Sequence, residues 1–141
     1  MPSGNGIAAF ALQRLGYLLG KSRYLKAAEG VLRNAWQSMT ECPQGHVSLI
    51  TALEEYLKPP EIVIIRGQAE EINHSRNMTA KIYAPRRLIF AIGADTENLP
   101  GELAKKHAID GQTMIYQCSG SHCSLSTGNP NTFIEELNNT E

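Results

Sequence analysis

The residue types and spacings in this 141-residue chain that can do chemistry are concentrated in Cys118-Ser119-Gly120-Ser121-His122-Cys123. As a redox pair, Cys118 and Cys123 can close a small disulfide across the Ser-Gly-Ser-His loop, and a protonated His122 would lower the pKa of a thiolate beside it. As a metal site, Cys118, His122 and Cys123 offer three soft or borderline ligands, with Cys42 as a fourth. That spacing is not a standard zinc spacing, and no second cysteine pair supports it. As a purely structural feature, two small thiols shape a loop, because free cysteine packs like a small hydrophobe. The residues alone leave all three open.

Gly67 and Gly93 are the second candidates. Each ends an apolar run, so backbone could approach a ligand outside the strand ends, where open α/β sheets place their crevices. Neither Arg66-Gly67-Gln68-Ala69 nor Gly93-Ala94-Asp95-Thr96 contains the G-x-G-x-x-G run that cradles a pyrophosphate, and no G-x-x-x-x-G-K-[ST] run exists. The glycines therefore read first as turn residues. None of His46, His74, His107 and His122 lies four residues from another, which removes a helical metal pair. Ser119, Ser121 and Ser124 near His122 lack the G-x-S-x-G elbow of a hydrolase. Glu54-Glu55 and Glu70-Glu71 are sequence neighbours that point different ways, so they are solvated faces and not acid/base dyads. The helical spacing of Tyr17, Tyr24 and Trp36 favours core packing over a sugar-binding surface. No metal and no cofactor are expected.

The elements that must position these residues change character along the chain. Residues 1–58 read as helices. Ser3 or Asn5 can cap the first helix, whose apolar positions are Ile7, Phe10, Ala11, Leu15, Leu18 and Leu19, and Gly20 is a good stop. Ser22 can cap a second helix with the stripe Tyr24, Ala28, Val31, Leu32, Ala35, Trp36 and Met39. After the break at Cys42-Pro43-Gln44-Gly45, a third helix runs from Val47 to about Leu57, with Val47, Ile50, Leu53 and Leu57 in register. Pro59-Pro60 marks a boundary. Residues 59–141 then alternate. Strands are expected at Ile62–Ile65, Leu88–Ile92 and Thr113–Gln117. Helices are expected from Gln68 to about Asn77 and from Pro100 or Gly101 to His107, with Gly111 as a turn. Asn131 or Thr132 can cap a last helix containing Phe133, Ile134 and Leu137. The fold class is α/β: amino-terminal helices packed on a small three-stranded parallel βαβαβ sheet.

Composition narrows the class of function. Hydrophobic residues at 42% and charged residues at 19% exclude a disordered chain. A net charge of −1, with no basic stripe, argues against nucleic acid. No apolar run approaches the ~20 residues of a membrane span, and Met1-Pro2-Ser3-Gly4-Asn5 is no signal peptide. Three cysteines fit a reducing cytoplasm. The first helix is apolar on more than one side, and such a helix expects neighbours nearly all round. The chain is therefore expected to be part of a larger protein, or to self-associate through that surface.

Four stretches together resemble the carboxyl-terminal end of the YyaL-type family, the thioredoxin-domain, spermatogenesis-associated proteins. They are Pro2-Ser3-Gly4-Asn5 opening an Ala-rich helix, the Pro-containing break before Leu49-Ile50-Thr51-Ala52-Leu53, the Ile62–Gly67 strand, and Tyr116-Gln117-Cys118 with Cys123 after it. The resemblance spans Pro2 to about Leu137. It departs from the family at Gly6, where Ser is typical, and in the small residues between the cysteines. It implies that the helices close an (α/α) toroid similar to N-acylglucosamine epimerases and six-hairpin glycosidases, followed by a small α/β tail. A structural or interaction role is then expected first, with the remainder of the longer protein as partner. An accessory dithiol at Cys118 and Cys123, working with a thioredoxin-like domain, is the alternative. Carbohydrate binding or isomerisation by the whole toroid is a further one.

Overall fold

The computed structural model describes residues 3–109, 112–120, 122–127, 132, 133 and 135. They belong to two units, Met1–Pro60 and Glu61–Glu141. The first contains helices α1 (Gly4–Leu19), α2 (Ser22–Asn34), α3 (Trp36–Glu41) and α4 (Val47–Leu57). Ser3 is extended, and its hydroxyl accepts from the Gly6 N–H. That bond satisfies one donor that a helix start otherwise leaves unpaired. Gly20 ends α1 in the left-handed conformation at φ 63°, a region costly for any residue with a Cβ. Ser22 is the first residue of α2 and not its cap; Lys21 holds that position with no side-chain cap bond. The helix expected to continue to Met39 is interrupted at Ala35 (φ −89°, ψ −2°). Nothing in the local residue types explains the break.

The inward faces of α1 and α4 are not the apolar stripes. Helix α1 buries Gly6, Ala9, Gln13 and Gly16, and α4 buries Leu49, Ala52 and Glu55. Several of the larger residues face away: Ile7 is 55% exposed, Val47 63% and Leu57 73%. Close approach is the reason. A Cβ on Gly6 would stand 2.8 Å from the Ser48 backbone carbon of α4, and one on Gly16 would stand 2.5 Å from Leu25 Cδ2 of α2. Small residues let the helices touch along their backbones, and Ala9, Leu32, Met39, Leu49 and Ala52 form the core there. Most polar groups on this face are paired, Gln13 Oε1 being buried with no hydrogen-bond partner among the described residues. Gln13 Nε2 donates to Ala52 O at 2.9 Å, and Arg14 Nε and Nη2 donate to the two Glu55 carboxylate oxygens at 2.8 Å each. Trp36, expected in the core, is instead 56% exposed.

The second unit contains β1 (Glu61–Gly67), α5 (Ala69–Thr79), β2 (Arg87–Gly93), β3 (Met114–Ser119) and β4 (His122–Thr127), in the sheet order β2-β1-β3-β4. The three-stranded parallel sheet is corrected to a four-stranded mixed one. Only β1 and β2 are parallel, joined through α5; β3 runs antiparallel to β1, and β4 antiparallel to β3. The physical reason lies in the connection before β3. A parallel strand needs a crossover of a dozen or more residues, usually helical, to bring the chain back to its starting edge. The expected second crossover helix is a five-residue 3-10 turn, Gly101–Lys105. The chain therefore enters β3 from the edge where β2 ended. Gly120, at φ 57°, then ends β3, and what read as a loop around His122 and Cys123 is a strand.

Strand β1 is buried on both faces over Ile62–Ile65, as its continuous β-branched run requires. On one face, Val63 and Ile65 pack with Ile72 of α5, Ile115 of β3 and Phe133. Thr132, Phe133 and Glu135 are helical. Asn131, Ile134 and Leu137 of the expected last helix, and the expected turn at Gly111, lie outside the described residues.

Candidate functional site

The register of β3 and β4 places Cys118 directly opposite Cys123, and the two are joined as a disulfide with their Cα atoms 4.0 Å apart. Strand alternation puts Cys118 on the sheet face shared with Ile62, its partner across β1. Cys118 is buried and Cys123 exposed, so solvent and other molecules meet the bond from the Cys123 side. His122 is exposed and pairs with Ser119. As the strand neighbour of Cys123 it projects from the opposite face of the sheet. In the disulfide form both sulfurs are held in one bond. Among the described residues, no group of three or more His, Cys, Asp or Glu could hold a metal ion. Cys42 is a free, exposed thiol in the helical unit.

Antiparallel β3 also separates the candidates that a parallel sheet would have gathered. Gly67 and Gly93 face each other at the carboxyl edge of β1 and β2, next to the start of β3. Cys118, facing Ile62, lies at the other edge, beside Glu61, which accepts from Arg87 Nε and from Gln117 Nε2. At the glycine edge, a Cβ on Gly67 would meet Thr113 Oγ1 at 2.7 Å, and one on Gly93 would meet Asp95 Oδ1 at 2.6 Å. Both glycines are the last residues of their strands and neither has a positive φ, so close side-chain approach and not an unusual backbone angle is what favours glycine there. Thr113 donates to the Glu71 carboxylate over this edge.

Gln13, Arg66 and Ser75 are buried polar side chains with no forecast from spacing or motif, and the expected solvated face at Glu55 is corrected: close helix packing buries that carboxylate against Arg14. A weak signal existed for Arg66, a charge closing the apolar run Ile62–Ile65. In the helical unit, Tyr17 titrates above the ordinary tyrosine value. Burial is the largest cause, and the neighbouring Tyr56 and Glu55 add to it. A groove of about 500 Å³ there is lined by Gly6, Ile7, Phe10, Val47, Ser48 and Thr51. Among the described residues no helix is long and apolar enough to cross a membrane. Comparison of the chain with protein-family models, with curated proteins and with solved structures finds no match.

Proposed function

We propose that this chain is a structural and interaction segment whose helical unit docks against further helices of a longer cytoplasmic protein, as the closing helices of an α/α toroid would. The observation that carries this is the outward direction of the apolar stripes. Ile7 and Leu15 of α1 and Val47, Ile50 and Leu57 of α4 are all exposed, while α1 buries Gly6, Ala9, Gln13 and Gly16 and α4 buries Leu49, Ala52 and Glu55. Two helices that both turn large aliphatics outward favour a further covering layer. Size-exclusion chromatography with light scattering, with a hydrophobic dye present, tests the reading. The isolated chain is expected to self-associate or bind the dye, and Ile7→Lys with Val47→Lys is expected to reduce both. A clean monomer that binds no dye would sink it.

A second reading, an accessory redox dithiol, is favoured by the closed Cys118–Cys123 bond. In a reducing cytoplasm a persistent disulfide is uncommon, so a pair that closes there would be a cycling one. The balanced step is two-electron thiol exchange with a dithiol protein. An incoming thiolate attacks the exposed Cys123 Sγ and forms a mixed disulfide, and Cys118 leaves as thiolate. The partner's second thiol then releases Cys123 and closes the partner's own disulfide. Alkylation and intact mass should count one free thiol in air and three after reduction, the first being Cys42. A reduction potential above about −270 mV would support exchange, whereas one below about −300 mV would make the bond purely structural.

A further inference from the structure

Arg66 stands next to the last residue of β1 and is only 4% exposed. Its Nη2 donates to Ala94 O at 3.4 Å and to Thr96 O at 3.2 Å. Its Nε and Nη1 have no hydrogen-bond partner among the described residues. A guanidinium keeps its proton in proteins, so burial cannot be relieved by neutralisation. Two long bonds to neutral carbonyls, both on one nitrogen, leave most of the cost of desolvating the charge unmet.

The carboxylates of this edge lie on the wrong face to help. Glu71 Oε2 and Asp95 Oδ1 approach the places where Cβ atoms of Gly67 and Gly93 would stand. Those positions share the α5 face with Val63 and Ile65, by strand alternation. Arg66 faces Ile92 on β2 and Met114 on β3, and so projects from the opposite face. No ion pair to Arg66 occurs among the described residues. The location is the carboxyl edge of a parallel pair. The chain leaves β1 toward β2 on one side and returns as β3 on the other. Ligand crevices form where connections diverge in this way.

We propose that Arg66 anchors a binding site for a small-molecule carboxylate at the carboxyl edge of β1 and β2, with the Ala94–Asn98 segment as its lid. Asp95, Thr96, Glu97 and Asn98 are exposed, and Asn98 holds a positive φ of 56°. Among the described residues, the side-chain bonds that tie this segment to Arg66 are the two to its carbonyls. A carboxylate would replace them with shorter, charge-assisted bonds to the guanidinium. Glu71, Asp95 and Glu97 border the edge and oppose multiply charged anions, which favours a monocarboxylate over phosphate. The inference stands independently of both functional readings.

Thermal unfolding of the full chain in sodium acetate, in sodium phosphate and in sodium chloride of matched ionic strength tests it. Acetate is expected to raise Tm saturably, by on the order of 5 °C at about ten times its dissociation constant, with a smaller response to phosphate. Arg66→Met is expected to abolish the acetate response and to unfold at or above the wild-type temperature without ligand, because it removes an unpaired buried charge of similar volume. Amide shifts on acetate addition should centre on Gly67 and residues 93–98. Equal responses to acetate and chloride, an undiminished response in Arg66→Met, or an Arg66-dependent response larger for phosphate would each overturn the proposal. Failure of Arg66→Met to fold would overturn it too, since the arginine would then be a needed structural contact.

Discussion

Arg14→Ala is expected to cost about 3 kcal/mol of stability, the lower end of what is lost when one partner of a buried ion pair is removed. The Glu55 side chain is 6% exposed and the Arg14 side chain 25%. Glu55 therefore depends on Arg14 for its compensation, while Arg14 keeps partial access to water. The pair is bidentate, with two N–H donors each 2.8 Å from a carboxylate oxygen, which is the strong geometry for this pairing. Arg14 also lies over the Phe10 ring, 4.0 Å from its centroid, so truncation to Ala removes packing as well as charge. Urea denaturation should show the loss as a lower midpoint at unchanged slope, with a Tm fall of roughly 10 °C. The double variant Arg14→Met with Glu55→Leu separates the causes. It removes both charges and keeps volume, and is expected to recover most of the loss. A loss below about 1 kcal/mol in Arg14→Ala would mean that water reaches Glu55 and the pair behaves as a surface one.

That pair also shows where sequence reading stops. Element positions were legible, because periodicity and punctuation are local. Val47 and Leu57 bound α4 as expected, Gly20 stops α1, and the apolar runs at Ile62–Ile65 and Leu88–Ile92 are strands. Facing was not legible. Periodicity finds an apolar stripe but not which side a neighbour takes, and Gly6, Ala9 and Gly16 won the inner face of α1 through close approach. Strand direction was not legible either. The third strand's sense depends on whether residues 94–113 hold a crossover helix, and a five-residue 3-10 turn has no strong sequence mark. The cysteine pairing was legible as one of three options. What it lacked was β4, since Ser119 to Thr127 is too polar to announce a strand.

Replacing both Cys118 and Cys123 with Ser is expected to cost about 2 kcal/mol, the loop-entropy value for so short a loop. The effect should be local. Among the described residues strand β4 is an edge strand that pairs only with β3, through six facing residue pairs of which the cysteines are one. Its other residues are His122, Ser124, Leu125, Ser126 and Thr127, a mostly polar set. Without the bond, β4 depends on its ladder alone, and hydrogen exchange should quicken along His122–Thr127 first. The β3 edge that β4 covers would follow, while α1, α2 and α4 keep their protection. Cys42→Ser, at an exposed free thiol, should change neither stability nor exchange. Reduction of the wild-type chain should reproduce the double variant, because both remove one covalent tie and nothing else. Unchanged protection along β4 in the double variant would mean that the ladder suffices. A redox cycle at Cys118–Cys123 would then alter only the sulfurs. If β4 does loosen, reduction frees the backbone donors and acceptors of β3. An unpaired strand edge is a pairing surface, so the oxidation state of this one bond would decide whether that edge is closed.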